Sequence, residues 1–410
     1  MHVPFCVSLC PYCDFVVMAG SATKGPRNRI GAFVASLRAE IGLRADALDA
    51  RFGPPDPPGA SLPPVRPGRR ARPPLQTVYF GGGTPSLLSD EVLAGLLELI
   101  RGRFGLVASP EITLEANPGP DERGDPVAQR RAGVNRLSLG AQSLDATDLR
   151  RLGRRHAPAD VVDAVGAARA AGFDSINLDL LYDVPGQSLQ GWLDTLEAVM
   201  ALDPDHLSLY ALTLDDPDAE GLTGPSGDHL PTRPGALRWR DRARVGQDDD
   251  RAVEQYTAAT RLLAAAGWRG YEISNWAHPG HESRHNLLYW ERRPYEAVGP
   301  GAHAFDGATR RWNAARLDGY MAALRPDDGS RARLPPGGAD PLPAATATSE
   351  RLILGLRTDR GVPAWALRGR RAEVVHWALA ESLLTIGRDR RARLTTRGRL
   401  LSNEIFERLI

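Results

Sequence analysis

Apolar and polar positions along this chain separate into short strand-like runs and longer helix-like runs that follow one another in turn. Strands are expected at 77–80, 111–116, 135–141, 175–181 and 206–214. Helices are expected at 89–104, 145–153, 159–172, 188–202 and 253–267. Such repeated alternation implies a parallel sheet with helices packed outside it. Further on, 349–356 and 371–386 read as helices, and 391–396 as a short strand closed by an Arg397-Gly398 turn, which makes a small α/β module at the C-terminal end.

The strands carry a second signal. Side chains alternate faces along a strand. Ile176, Leu178 and Leu180 therefore share one face, and Asn177 and Asp179 share the other. Thr113 and Glu115 lie opposite Ile112 and Leu114, while Ser138, Gly140 and Gln142 share a face on the strand that follows. A filled parallel barrel shows near-continuous apolar strands. Polar inner faces fit instead an open barrel whose lumen holds a polar ligand; the alternative is a sheet with one solvated face. Glu115, Gln142 and Asp179 fall at the C-terminal strand ends, where such folds place their sites.

Two stretches interrupt the pattern. Residues 53–75 are rich in Pro, Gly and Arg and read as a flexible surface insertion, and 325–344 read as a linker. Formal net charge is +1, so no strong field points to nucleic acid or a membrane surface. Almost all the positive charge is arginine, Lys24 being the one lysine. No run of about 18 or more apolar residues occurs, so no membrane-spanning helix is expected. Met1-His2-Val3-Pro4-Phe5 shows no basic and apolar leader pattern.

All three cysteines fall within eight residues, in the spacing Cys6-x3-Cys10-x2-Cys13. An odd, clustered set without a leader points to a reducing compartment and metal binding, against a disulfide framework. Three thiolates are one short of a closed tetrahedral set. They suit three corners of a 4Fe–4S cluster whose fourth iron stays open. Zinc is the rival, with His2 as a nearby fourth ligand. After the first strand comes Gly81-Gly82-Gly83-Thr84-Pro85, a turn whose backbone can approach a ligand closely.

Taken together, the cysteine loop, the Gly81–Thr84 turn and the inward Glu115, Gln142 and Asp179 resemble the radical S-adenosylmethionine (SAM) superfamily. Within it, the chain resembles the oxygen-independent coproporphyrinogen III oxidase group over essentially its whole length. His2-Val3-Pro4-Phe5-Cys6, Leu114-Glu115-Ala116-Asn117-Pro118-Gly119, Asn177-Leu178-Asp179-Leu180 and Val184-Pro185-Gly186-Gln187 carry the match. The resemblance implies an α/β fold, a partial (β/α)6 TIM-like barrel with a small α/β C-terminal domain. It implies a core barrel over 1–215, a barrel-associated extension over 216–325 and a C-terminal domain over 345–410. It also implies a cluster on Cys6, Cys10 and Cys13 that reduces SAM to a 5′-deoxyadenosyl radical. Gly82, Gly83 and Thr84 would hold the methionine part of SAM, and Tyr12, Glu115, Gln142, Arg154 and Asp179 match other SAM-contacting positions. A carboxylate such as Glu115 suits an amino group, Arg154 a carboxylate and Asp179 a ribose diol.

Two branches divide at this point. The decarboxylating branch carries a fourth cysteine two residues after the third, where this chain has Phe15. The heme-chaperone branch carries the motif seen here as His285-Asn286-Leu287-Leu288-Tyr289-Trp290. That branch binds heme and hands it to acceptor proteins, and the motif would make His285 the axial heme ligand; a loop histidine beside two core aromatics is the alternative. The resemblance implies a cytoplasmic protein, monomeric or dimeric, with heme-accepting partners, some of them membrane proteins touched peripherally, and an electron donor such as flavodoxin or ferredoxin. Coproporphyrinogen III dehydrogenation, or radical chemistry on another substrate, are the other readings. The group also has residues before His-x-Pro-Phe-Cys, including a SAM-holding tyrosine, which are not present before Met1 here.

Overall fold

The computed structural model of the chain describes residues 1–25, 27–55, 72–214, 217–326 and 328–410. The heart of the insertion expected at 53–75 therefore lies outside the described residues. Six parallel strands stand in chain order, namely β1 (His2–Val3), β2 (Leu75–Gly82), β3 (Leu106–Ala116), β4 (Arg136–Gln142), β5 (Ser175–Tyr182) and β6 (His206–Ala211). Two short antiparallel strands, β7 (Arg269–Gly270) and β8 (Asn275–Ala277), extend the same sheet beyond β6.

The crossovers are helical: α1 (Ile30–Phe52), α2 (Asp90–Phe104), α3 (Pro126–Ala132), α4 (Ala146–Arg151), α5 (Pro158–Ala170) and α6 (Leu189–Met200). Their starts are written locally. Ser89, Asp125, Asp145 and Ser188 each accept a backbone N–H of the first turn with the side chain, which satisfies donors the helix cannot. Helix α1 was not anticipated, although Phe33, Leu37, Ile41 and Ala45 repeat every fourth residue and are fully buried. It also carries a buried carboxylate. Glu40 accepts from Arg44, Asn313, Tyr320 and the Gly299 N–H, and so ties α1 to the segment that flanks β1.

After β6 come α7 (Pro234–Val245), α8 (Asp249–Ala265) and α9 (Arg284–Trp290), the last set against the inward residues of β2. A three-stranded sheet follows, formed by β9 (His303–Phe305), β10 (Thr309–Asn313) and β11 (Gly337–Pro341), with α10 (Leu317–Leu324) between the last two. Strand β11 corrects the linker expected at 325–344. Its glycines make room for Trp312, whose ring would come within 2.1 Å of a Cβ at Gly338.

The C-terminal part has its own core, including Leu356, Leu384, Ile405 and Phe406. It contains α11 (Ala344–Leu356), α12 (Ala372–Ala380) and α13 (Thr396–Leu400), ends on α14 (Ser402–Leu409), and holds a sheet of β12 (Val362–Pro363), β13 (Leu384–Ile386) and β14 (Arg391–Leu394). The helix expected over 371–386 thus stops early. Ser382 takes a left-handed φ of 57° and Leu384–Ile386 pairs with β14 instead. The turn expected at Arg397-Gly398 is the start of α13, capped by Thr395.

The open barrel with a polar lumen is what the alternation foretold. Ile176, Leu178 and Leu180 join the outer core, while Thr113, Ser138, Asn177 and Ser208 are buried on the inner side and line one small cavity with Asp179 and Tyr79. The stretch expected to continue as strand to residue 214 leaves the sheet after Ala211. No helix among the described residues is long and apolar enough to cross a membrane.

Candidate functional site

The cysteine loop begins where β1 ends and is pinned at both of its own ends. Phe5 and Met18 form a parallel bridge, and the Cys6 N–H donates to the Met18 carbonyl at 2.8 Å. Within the loop the Cys13 N–H donates to the Cys10 carbonyl at 3.3 Å. All three cysteines are free and half-buried. Burial pushes the Cys6 thiol up to about 11 and the Cys13 thiol up to about 12. Among the described residues no three His, Cys, Asp or Glu side chains converge on a single-ion site. His2 does not turn towards the thiols as a fourth zinc ligand: its Nε2 is hydrogen-bonded to the Val16 carbonyl at 2.8 Å.

The sulfurs are met by donors. The Thr84 hydroxyl donates to Cys6 Sγ at 3.4 Å, and the Arg154 guanidinium donates to Cys10 Sγ at 3.4 Å. Asn117 joins the two donors, accepting from Arg154 and donating to the Thr84 hydroxyl at 3.1 Å. Arg154 also donates to the Gly140 carbonyl at 2.8 Å and the Tyr12 hydroxyl at 3.5 Å. It is therefore aimed inward and is not a solvated helix-end residue. Polar hydrogens on cluster ligands are a main control of an iron–sulfur centre's potential, so this donor set fits thiolate ligands of a 4Fe–4S cluster.

The glycine turn is packed tightly within the protein. The N–H groups of Gly82, Gly83 and Thr84 are used inside the protein, by Glu115 at 2.9 Å, Val3 at 2.8 Å and Phe5 at 2.7 Å. The glycines serve the close packing of the N-terminal segment. A Cβ at Gly82, whose φ is +112°, would sit 2.6 Å from the His2 ring, and one at Gly83 would sit 2.6 Å from the Phe5 carbonyl oxygen. The turn thereby fixes Cys6 against Thr84.

Glu115 lies beside the turn with Tyr79, whose hydroxyl donates to it at 2.7 Å. Burial, reinforced by nearby Asp179 and opposed by the Tyr79 and Gly82 hydrogen bonds, holds the Glu115 carboxyl at about 7. Asp179 accepts from Ser138 at 3.1 Å and Asn177 at 2.8 Å, and burial raises it too. Gln142 takes a left-handed φ of 65° after a register shift between β4 and β5, which brings its amide beside Gly140 and Arg154. Such bulged, strained strand ends re-aim a side chain.

His285 opens α9, whose first N–H groups are accepted by the Glu111 carboxylate. Its Nδ1 pairs with the Thr77 hydroxyl at 2.7 Å and its Nε2 with the Tyr289 hydroxyl at 2.9 Å. The ring stacks on Tyr79, centroids 5.0 Å apart. Burial pulls its pKa down to about 3, so it is neutral. Three contributors were missed from sequence. Tyr79 shares the inward face of β2 with Thr77, and the same alternation used on β3 and β5 would have found it. Asn117 sits inside a stretch already singled out. Arg240, on α7, whose guanidinium donates to the Pro11, Tyr12 and Cys13 carbonyls, has no local pattern to announce it.

Residues 1–199 match the family model of the radical SAM superfamily. The chain is 35% identical to the heme chaperone HemW of Mycobacterium tuberculosis across 100% of its own length and 94% of that protein. It is 37% identical to the heme chaperone HemW of Escherichia coli across 74% of its length and 68% of that protein. Its fold matches the structure of coproporphyrinogen III oxidase (HemN) from Escherichia coli, described as a radical SAM enzyme, with a TM-score of 0.74, 21% identity, and coverage of 100% and 88% of the two chains. The chain belongs to the radical SAM superfamily, in the family of the HemW proteins.

Proposed function

We propose that this protein is a heme chaperone that carries a 4Fe–4S cluster on Cys6, Cys10 and Cys13, binds SAM in the barrel mouth and holds heme through His285. Cys6, Cys10 and Cys13 would hold such a cluster, and the chemistry it would supply when bound is one-electron reduction of SAM. The chain's own residues orient the ligand. Arg154 suits the SAM carboxylate, Glu115 the amino group and Asp179 the ribose diol, with Tyr12, Gln142 and the Gly82–Thr84 turn around them. Heme-accepting proteins are the partners this reading requires, together with a one-electron donor.

The placement of His285 carries the heme half of the reading. It is kept neutral by burial, the form that ligates iron. The Thr77 hydroxyl fixes its Nδ1, as a supporting partner fixes a metal-bound imidazole. One aromatic ring, Tyr79, separates it from Glu115. Phe15 stands where the decarboxylating branch has a cysteine, and it is 61% exposed.

The test pairs two assays on anaerobically reconstituted protein. Heme should bind with a Soret shift that His285→Ala weakens at least about tenfold, the loss of one ligand–metal bond being worth more than one hydrogen bond. Coproporphyrinogen III should yield no protoporphyrinogen. Turnover of that substrate, or heme binding indifferent to His285→Ala, would overturn the proposal.

A further inference from the structure

Helix α7 lies outside the barrel, and its Arg240 is 1% exposed. The guanidinium reaches back across more than 220 residues of sequence to the cysteine loop. It donates from Nε to the Pro11 carbonyl at 3.2 Å, and from Nη2 to the Tyr12 carbonyl at 3.4 Å and the Cys13 carbonyl at 3.1 Å. These are three successive carbonyls of the segment that carries the second and third cysteines. The helix itself is well anchored. Ala243 packs with Leu152, Leu181, Val184, Leu212 and Leu214 in a small apolar cluster, against which Tyr12 and Trp239 also lie. Arg244 donates to the Leu214 carbonyl at 2.6 Å, and Trp239 to the Arg151 carbonyl at 3.1 Å.

We infer that Arg240 is a positioning residue of the cluster site, holding the Cys10–Cys13 turn in its ligating shape and placing a permanent positive charge behind it. The inference rests on the reading of Cys6, Cys10 and Cys13 as cluster ligands. Loop carbonyls that converge on one point repel each other, and a planar guanidinium with fixed donors resolves that repulsion. Arginine stays charged inside a protein. A cation next to the cluster favours its reduced, more negative state. Arg154 approaches the same loop from the sulfur side, so the turn is gripped by one arginine through its thiol and by another through its backbone.

The test uses the full chain. In cluster-free protein, with rates corrected for the thiolate fraction of each protein, Arg240→Met should speed alkylation of Cys10 and Cys13 about fivefold or more, since the turn loses hydrogen bonds that close it. After reconstitution, the same variant should show a more negative midpoint potential by redox-titrated EPR. Arg240→Lys keeps the charge but not the fork; its potential should stay near wild type, with intermediate alkylation. Arg242→Ala, an exposed arginine on the same helix, should change neither. Unaltered alkylation and potential in Arg240→Met would overturn the inference, as would an equal shift in Arg242→Ala. If Arg240→Met does not fold, Arg240→Lys decides: wild-type alkylation rates in it defeat the role of the fork. Wild-type protein that takes up no cluster would defeat the cluster reading instead, while the alkylation comparison still decides Arg240.

Discussion

His285 is stacked on Tyr79, with ring centroids 5.0 Å apart and planes 25° apart, and the hydroxyl of that same tyrosine donates to Glu115. One aromatic side chain therefore touches the residue proposed for heme and the residue proposed for SAM. Its two roles can be separated. Tyr79→Phe keeps the stack and removes the donor. The Tyr79 hydrogen bond favours the ionised carboxylate, so its loss should weaken SAM binding about fivefold, the worth of roughly 1 kcal/mol. Heme affinity should stay unchanged. Parallel titrations of SAM and heme on one preparation check this, and equal weakening of both would show that Tyr79 acts only as packing.

Glu115 also predicts a pH dependence. Its carboxyl sits at about 7 in the folded chain against an ordinary 4.5. The folded state holds the proton more tightly than the unfolded one. The stability this group contributes is therefore complete below pH 4.5 and is lost as pH rises through 7. SAM binding runs the other way, because its amino group needs the ionised carboxylate as acceptor. SAM affinity should rise by up to about tenfold per pH unit towards 7 and level off above it. Isothermal titration at pH 6, 7 and 8 should show proton release in wild type and a flat profile in Glu115→Gln. A slope retained in Glu115→Gln would assign the dependence to another group.

Glu115, Gln142 and Asp179 were legible because strand alternation needs only neighbouring residues, and a strand's inner face is fixed by period two. Cys6, Cys10 and Cys13 stand out as one group from spacing alone, and the structure carries them on one loop closed by Phe5 and Met18. What was not legible depends on parts of the chain that meet only after folding. Arg240 reaches Pro11, Tyr12 and Cys13 from a remote helix. The Gly82 and Gly83 positions look like a ligand cradle in sequence, yet their immediate constraint is the His2–Phe5 segment. Strand β11 was hidden in a Pro- and Gly-rich stretch, because it pairs at an edge where such residues are tolerated.

Gly83 gives a further expectation. A Cβ there would meet the Phe5 carbonyl at 2.6 Å, its N–H at 2.9 Å and the Val3 carbonyl at 2.9 Å, all of them backbone atoms that cannot swing aside. Gly83→Ala must push β1 away from β2 and with it Cys6. The expected cost is about 2–3 kcal/mol of stability, together with loss of most reconstituted iron. Gly102→Ala, on α2 with open space around it, should slightly stabilise the chain instead. Thermal melts and iron assays of the pair check both outcomes; a Gly83→Ala protein with wild-type iron content would remove the link between the turn and Cys6.

Tyr289 supplies the last expectation, and its sign separates a ligand from a core histidine. In the heme-free chain the Tyr289 hydroxyl occupies His285 Nε2 at 2.9 Å, while Thr77 occupies Nδ1. If iron is to bind His285 with Nδ1 still held, the Tyr289 hydroxyl must leave. Tyr289→Phe removes a bond that exists only before heme arrives, and it keeps the ring that packs edge-on against Tyr295. Heme should therefore bind about fivefold more tightly, by roughly the 1 kcal/mol that the lost bond gave the free state. Thr77→Val should act in the opposite direction, because it frees the nitrogen that orients the ring. A histidine that serves only the core predicts lower stability in both variants and no change in heme affinity. Soret titrations of the two variants beside wild type distinguish the cases, and weaker heme binding in Tyr289→Phe would mean that the hydroxyl holds heme and not the empty site.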